Sequence, residues 1–172
     1  VSVATVVSRR ITDSDEFTGR FEAVDRVEIR PRVSGYISSV NFVQGGEVTR
    51  GEVLFVIDPR PYEAALKQAQ AALALARSQL TLATSEQGRA NKLLAARAIS
   101  REELESRDAA LAQAQATVAG AQAAVDTAAL NLSFTRVKAP FTGVVSRAEI
   151  TAGNLVTSGQ TLLTTVVSVD PI

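Results

Sequence analysis

Two distant stretches of the chain repeat one another, and the residues between them follow a different period. Setting SGYISSVNFVQGGEVTRGEVLFVI, which begins at Ser34, over TGVVSRAEITAGNLVTSGQTLLTTV, which begins at Thr142, needs one constant offset and no gap. Gly35, Gly45 and Gly51 then fall on Gly143, Gly153 and Gly159, while Ile37, Val48 and Leu54 fall on Val145, Val156 and Leu162. Both copies are short β-branched runs punctuated by glycine, as expected for strands joined by tight turns in which glycine supplies positive φ. Each copy is expected to build half of a small sandwich. A unit of about 25 residues buries too little apolar surface to fold alone, so the two copies are expected to close on each other in space.

The insertion between them has a seven-residue period. Leu66, Leu73, Leu80 and Leu94 occupy one core position, and Tyr62, Ala69, Ala76, Ala83 and Ala90 the other, with Gln87 as a polar interruption. The pattern returns in Leu104, Leu111, Val118, Val125 and Leu132, alternating with Ala114, Ala121 and Ala128. Each run is roughly 35 residues, or on the order of 50 Å if helical. A heptad sustained this long predicts two coiled helices, and the short connection makes them antiparallel. Asp58-Pro59 is expected to open the first arm as an acidic N-cap with proline at the first helical position. Ser100-Arg101-Glu102-Glu103 fits a capping box, Ser100 accepting from the Glu103 N–H while Glu103 reaches back.

The expected class is therefore α+β: a split lipoyl-like β-sandwich interrupted by a long antiparallel helical hairpin. The divisions are an incoming barrel strand over 1–27, half-motifs over 28–57 and 136–167, the hairpin over 58–135 with arms at about 60–96 and 100–134, and a barrel start over 168–172. At the hairpin tip, Leu94 continues the seam and Leu93 falls beside it, with Arg89 one turn earlier on the same outer side. Leu93 has two readings from period alone: it caps the end of the seam, or it docks a partner.

Composition narrows the chemistry. Cys, His, Met and Trp are all absent, which removes thiolate nucleophiles, imidazole bases and the usual zinc sites. Most carboxylates sit beside Lys or Arg on periodic segments and read as a solvated helix face. The formal net charge is zero, with basic residues spread along the chain, so no footprint of nucleic-acid binding appears. The longest uncharged runs, 109–125 and 150–169, are studded with Gln or with Gly, Thr and Ser, and neither reads as a membrane span. Val1 is read as a processed or trimmed start, with any export signal and membrane anchor elsewhere.

Three features in this order resemble a periplasmic adaptor, or membrane fusion protein, of a Gram-negative tripartite efflux pump of the resistance-nodulation-division (RND) kind. They are Val43-Gln44-Gly45-Gly46-Glu47-Val48 with Gly51 and Leu54; Val137-Lys138-Ala139-Pro140 with Gly143 and Val145; and Arg89-x(3)-Leu93-x(6)-Ser100. The resemblance implies a non-enzymatic role without a cofactor, in the periplasm at the inner membrane. An RND transporter, a TolC-like outer-membrane channel and further copies of the chain, six in an assembled pump, are the implied partners. It further implies that Arg89 makes a polar contact with the channel, Leu93 an apolar one, and Ser100 a contact beyond its capping role. An adaptor of an ABC-type exporter or type I secretion system is a close rival. A biotin or lipoyl carrier is a distant one, because the hairpin stands where a carrier exposes its modifiable lysine.

Overall fold

The computed structural model describes residues 1–6, 8, 10 and 24–168. In chain order these form β1 (Arg26–Ile29), β2 (Gly35–Val40), β3 (Glu47–Val48), β4 (Val53–Ile57), α1 (Arg60–Ala95), α2 (Arg101–Phe134), β5 (Arg136–Lys138), β6 (Gly143–Val145), β7 (Leu155–Val156) and β8 (Thr164–Val167). The class is α+β, a sandwich from which a two-helix hairpin projects. The barrel strands expected near both termini fall mainly on residues 7, 9, 11–23 and 169–172, outside the described residues.

The two repeats close on each other as expected, and the strand order shows how. One sheet runs β1-β8-β6-β3 and the other β5-β4-β2-β7, with antiparallel pairing throughout. Within each half, successive strands alternate between the sheets, so each sheet takes two strands from each copy. Exchanging β1 with β5, β2 with β6, β3 with β7 and β4 with β8 turns one order into the other. The repeat is thus an internal two-fold whose halves interlock rather than stack.

Hydrogen bonds repeat the same exchange. The Gly45 N–H donates to the Val145 carbonyl at 3.0 Å, and the Gly153 N–H to the Ile37 carbonyl at 2.7 Å. Gly51 donates to Ala139 at 2.9 Å and Gly159 to Pro31 at 2.8 Å. All four glycines have φ between 71° and 89°, a region that costs a side-chain-bearing residue roughly 1–2 kcal/mol. Gly143 is required for a different reason: it is buried, and a Cβ there would run into the Val167 carbonyl oxygen of β8.

Ile37, Val48, Leu54, Phe55, Ile57, Val145, Val156, Leu163 and Val166 form the core, all essentially inaccessible to water. Leu162, aligned with Leu54, is only half-buried. Leu54 sits inside β4, whereas Leu162 precedes β8, and its neighbour Leu163 turns into the core instead.

The hairpin is anchored where it leaves and rejoins the sandwich. The Ile57 N–H donates to the Thr135 carbonyl and the Asp58 N–H to the Tyr36 carbonyl, both at 2.8 Å. The Tyr62 hydroxyl donates to the Ser34 carbonyl at 2.6 Å, and the Arg32 guanidinium lies 5.0 Å from the Phe134 ring centroid. Each arm therefore carries an aromatic packed on the core cluster and tied by its polar partner to the segment before β2. The N-cap of α1 is Pro59, not Asp58. Asp58 acts from one residue further out: Oδ1 accepts from the Arg60 N–H at 3.1 Å, while the carboxylate pairs with the Arg60 guanidinium.

Candidate docking site at the hairpin tip

On α1, Leu73, Ala76 and Ala90 are buried and Leu66, Leu80 and Leu94 half-buried; on α2, Leu104, Leu111, Val118, Val125 and Leu132 are half-buried. No residue of α2 is fully buried. Near the tip the seam becomes polar. Gln87 Nε2 donates to Asp108 Oδ1 at 3.0 Å across the hairpin. Arg107, standing where the heptad of α2 calls for a small apolar residue, pairs with Glu103 at 2.6 Å and with Glu86 of the other arm at 3.4 Å. The Glu103 hydrogen bond, and to a smaller extent Glu86, holds the guanidinium protonated more firmly than usual.

The turn over residues 96–100 is built by backbone capping. The Arg97 N–H donates to the Leu94 carbonyl at 2.9 Å and the Ala98 N–H to the Leu93 carbonyl at 2.8 Å, the paired pattern that closes helices through a left-handed residue. Arg97 takes that conformation, at φ 57°, where glycine is usual. Ser100 then opens α2, its hydroxyl oxygen accepting from the Glu103 N–H at 3.1 Å. The reciprocal half of the expected capping box is not formed. The Glu103 side chain is drawn to Arg107 instead, at 2.9 and 2.6 Å, because a charge-assisted fork outcompetes a single backbone donor.

This closure splits the two leucines. Leu94 is half-buried on the seam, whereas Leu93 remains 46% exposed. Leu93, Ala90 and Ile99 form the apolar part of a shallow depression whose polar rim is Glu86, Arg89, Glu103 and Arg107. Arg89 and Leu93 are thus brought together, and Ser100 adjoins the depression through Ile99 without lining it. An apolar side chain could enter, with a five-donor guanidinium beside it to bond carbonyl or carboxylate oxygens. Ile99 and Arg107 escaped the sequence reading. The break that Arg107 makes in the alanine positions of α2 was the signal that could have found it.

Residues 25–168 match the family model described as RND MFP, barrel-sandwich hybrid domain. The chain is 39% identical over 173 aligned residues to "Multidrug efflux pump subunit AcrA" of Escherichia coli strain K12, covering 100% of this chain and 44% of that protein. It is 40% identical to "Toluene efflux pump periplasmic linker protein TtgD" of Pseudomonas putida, covering 100% of this chain and 42% of that protein. The chain thus spans less than half the length of these relatives. Among solved structures, a MacA-MexA chimera containing the Pseudomonas aeruginosa MexA α-hairpin domain aligns with TM-score 0.60 and 30% identity, over 86% of this chain and 49% of that one. ZneB from Cupriavidus metallidurans aligns with TM-score 0.62 and 26% identity, over 86% of this chain and 63% of that one.

Proposed function

Because the chain belongs to the RND membrane fusion protein family, matched over residues 25–168, we propose that it is the non-enzymatic adaptor section of a periplasmic efflux assembly. It bridges an inner-membrane RND transporter to a TolC-like outer-membrane channel for the export of drugs or other small molecules. Several copies, six in the assembled pump, surround the path, with the transporter supplying the energy. The interlocked sandwich serves as the base, the hairpin as a strut, and Arg89, Leu93 and Ser100 as the channel-facing contacts. No described helix is long and apolar enough to cross a membrane.

One observation carries the reading: Leu93 and Arg89 share a solvent-open depression at the far end of a hairpin whose other end is pinned to a packed core. Both side chains are exposed, so their replacement should leave folding intact. Arg89→Asp or Leu93→Asp in the full-length protein should abolish drug export, with helicity and melting nearly unchanged. Normal export by both variants would remove the docking assignment.

A further inference from the structure

The internal two-fold leaves β1 and β5 in equivalent places, each at the edge of its sheet. Among the described residues each has a strand partner on one side only. The two edges, the loop at Arg50 and the last turn of α2 enclose one cleft of about 550 Å³, within the range of small-molecule sites. Its apolar surface comes from buried Ile29 and Ala139 and half-buried Phe134 and Val137. Its charged lining is Arg30, Arg32, Arg50, Arg136 and Lys138, against the single carboxylate of Glu28. That carboxylate is already held by Arg30 at 2.8 Å, and Arg32 rests on Phe134. Among the described residues, Arg50, Arg136 and Lys138 have no carboxylate within ion-pair distance.

We propose that this cleft binds an amphiphilic oxyanion: a phosphate group held by the guanidinium and ammonium groups of Arg50, Arg136 and Lys138, with its apolar body against the Phe134 ring. Cations lining one concavity repel one another unless a counter-charge enters, and the arginine fork suits phosphate oxygens. Edge charges discourage strand addition, but Arg32 and Arg50 stand outside both edge strands. The sandwich of a second copy is a poor occupant. On the described sandwich, the carboxylates of Glu28, Glu52, Asp58 and Glu149 are engaged by neighbours in their own chain. Asp25 and Glu47 remain, too few to form an acidic face that matches the cleft.

The test is calorimetric titration of the 172-residue chain with dihexanoyl phosphatidic acid below its micellar concentration, and separately with inorganic phosphate. Flotation with vesicles of phosphatidylglycerol in phosphatidylcholine, or phosphatidylcholine alone, distinguishes a bilayer source from a soluble one. Saturable binding of the short-chain lipid, weakened at least tenfold by Arg50→Gln/Arg136→Gln/Lys138→Gln, is expected. An equal charge change at the hairpin tip, Lys92→Gln/Arg97→Gln/Arg101→Gln, should leave it unaltered. Inorganic phosphate should bind at least tenfold more weakly, because it lacks the apolar body. The proposal is overturned by absent saturable binding, by equal weakening in the tip variant, by equally tight dihexanoyl phosphatidylcholine or inorganic phosphate binding, or by sedimentation showing that the cleft mediates self-association.

Discussion

Leu73→Ala tests the claim that a narrow apolar seam holds the strut together. Leu73 is 7% exposed on α1, so the substitution removes three buried carbons, about 2.4 kcal/mol at roughly 0.8 kcal/mol each. A cavity term adds to this, limited because one layer of side chains between two helices relaxes more easily than a closed core. The expected cost is about 3 kcal/mol, toward the lower half of the range of roughly 2–5 kcal/mol for such truncations. Leu82 lies on the same helix but is 58% exposed, and Leu82→Ala should cost no more than about 0.5 kcal/mol. Helix propensity is nearly the same in both exchanges, so the difference isolates burial. Thermal melting followed by far-UV circular dichroism should fall by about 6–12 °C for Leu73→Ala and under about 2 °C for Leu82→Ala, at roughly 2–4 °C per kcal/mol for a chain of this size. Equal shifts would refute the seam as the source of rigidity.

Ser100→Ala should destabilise by about 1 kcal/mol through loss of the α2 cap, measurable as a lower denaturant midpoint. Gly143→Ala should cost about 3 kcal/mol or prevent folding, since its Cβ meets backbone of β8 rather than a flexible side chain. Gly120→Ala, in open surroundings on α2, should raise stability by up to about 1 kcal/mol; the same sign at both glycines would contradict the packing described. The Arg60 side-chain hydrogen bond, then the Arg60 N–H, holds the Asp58 carboxyl below its ordinary value of 3.8. This stabilisation is full above that value and lost as pH falls through the lowered one. The melting difference between the protein and Asp58→Asn should therefore be constant near neutrality and vanish in strong acid; a difference independent of pH would reject the pairing.

Repeat and period made the architecture legible, because glycine-punctuated β-branched runs mark strands and turns and a period of seven marks the helix face that avoids water. The Ser100 cap was legible for the same reason, since donor and acceptor lie three residues apart. The tip was only half legible. Spacing and resemblance pointed to Arg89, Leu93 and Ser100, but Ile99 joins Leu93 only once the turn has closed, and that turn uses Arg97 where the usual glycine signal is missing. Glu103 was expected to reach back to Ser100, but the Arg107 guanidinium one helical turn further along α2 takes its carboxylate instead.

The chain by itself determined that there would be two matching strand clusters, a long two-helix insertion, no thiol or imidazole chemistry, and one surplus leucine beside the seam. Tertiary structure alone decided that the clusters interlock strand by strand, that Leu163 rather than Leu162 enters the core, and that basic side chains from separate segments meet in one cleft. The physical reason is distance along the chain. Local patterns record each residue's preference for water, whereas partners far apart in sequence are selected only when backbone hydrogen bonds and close packing must be satisfied together.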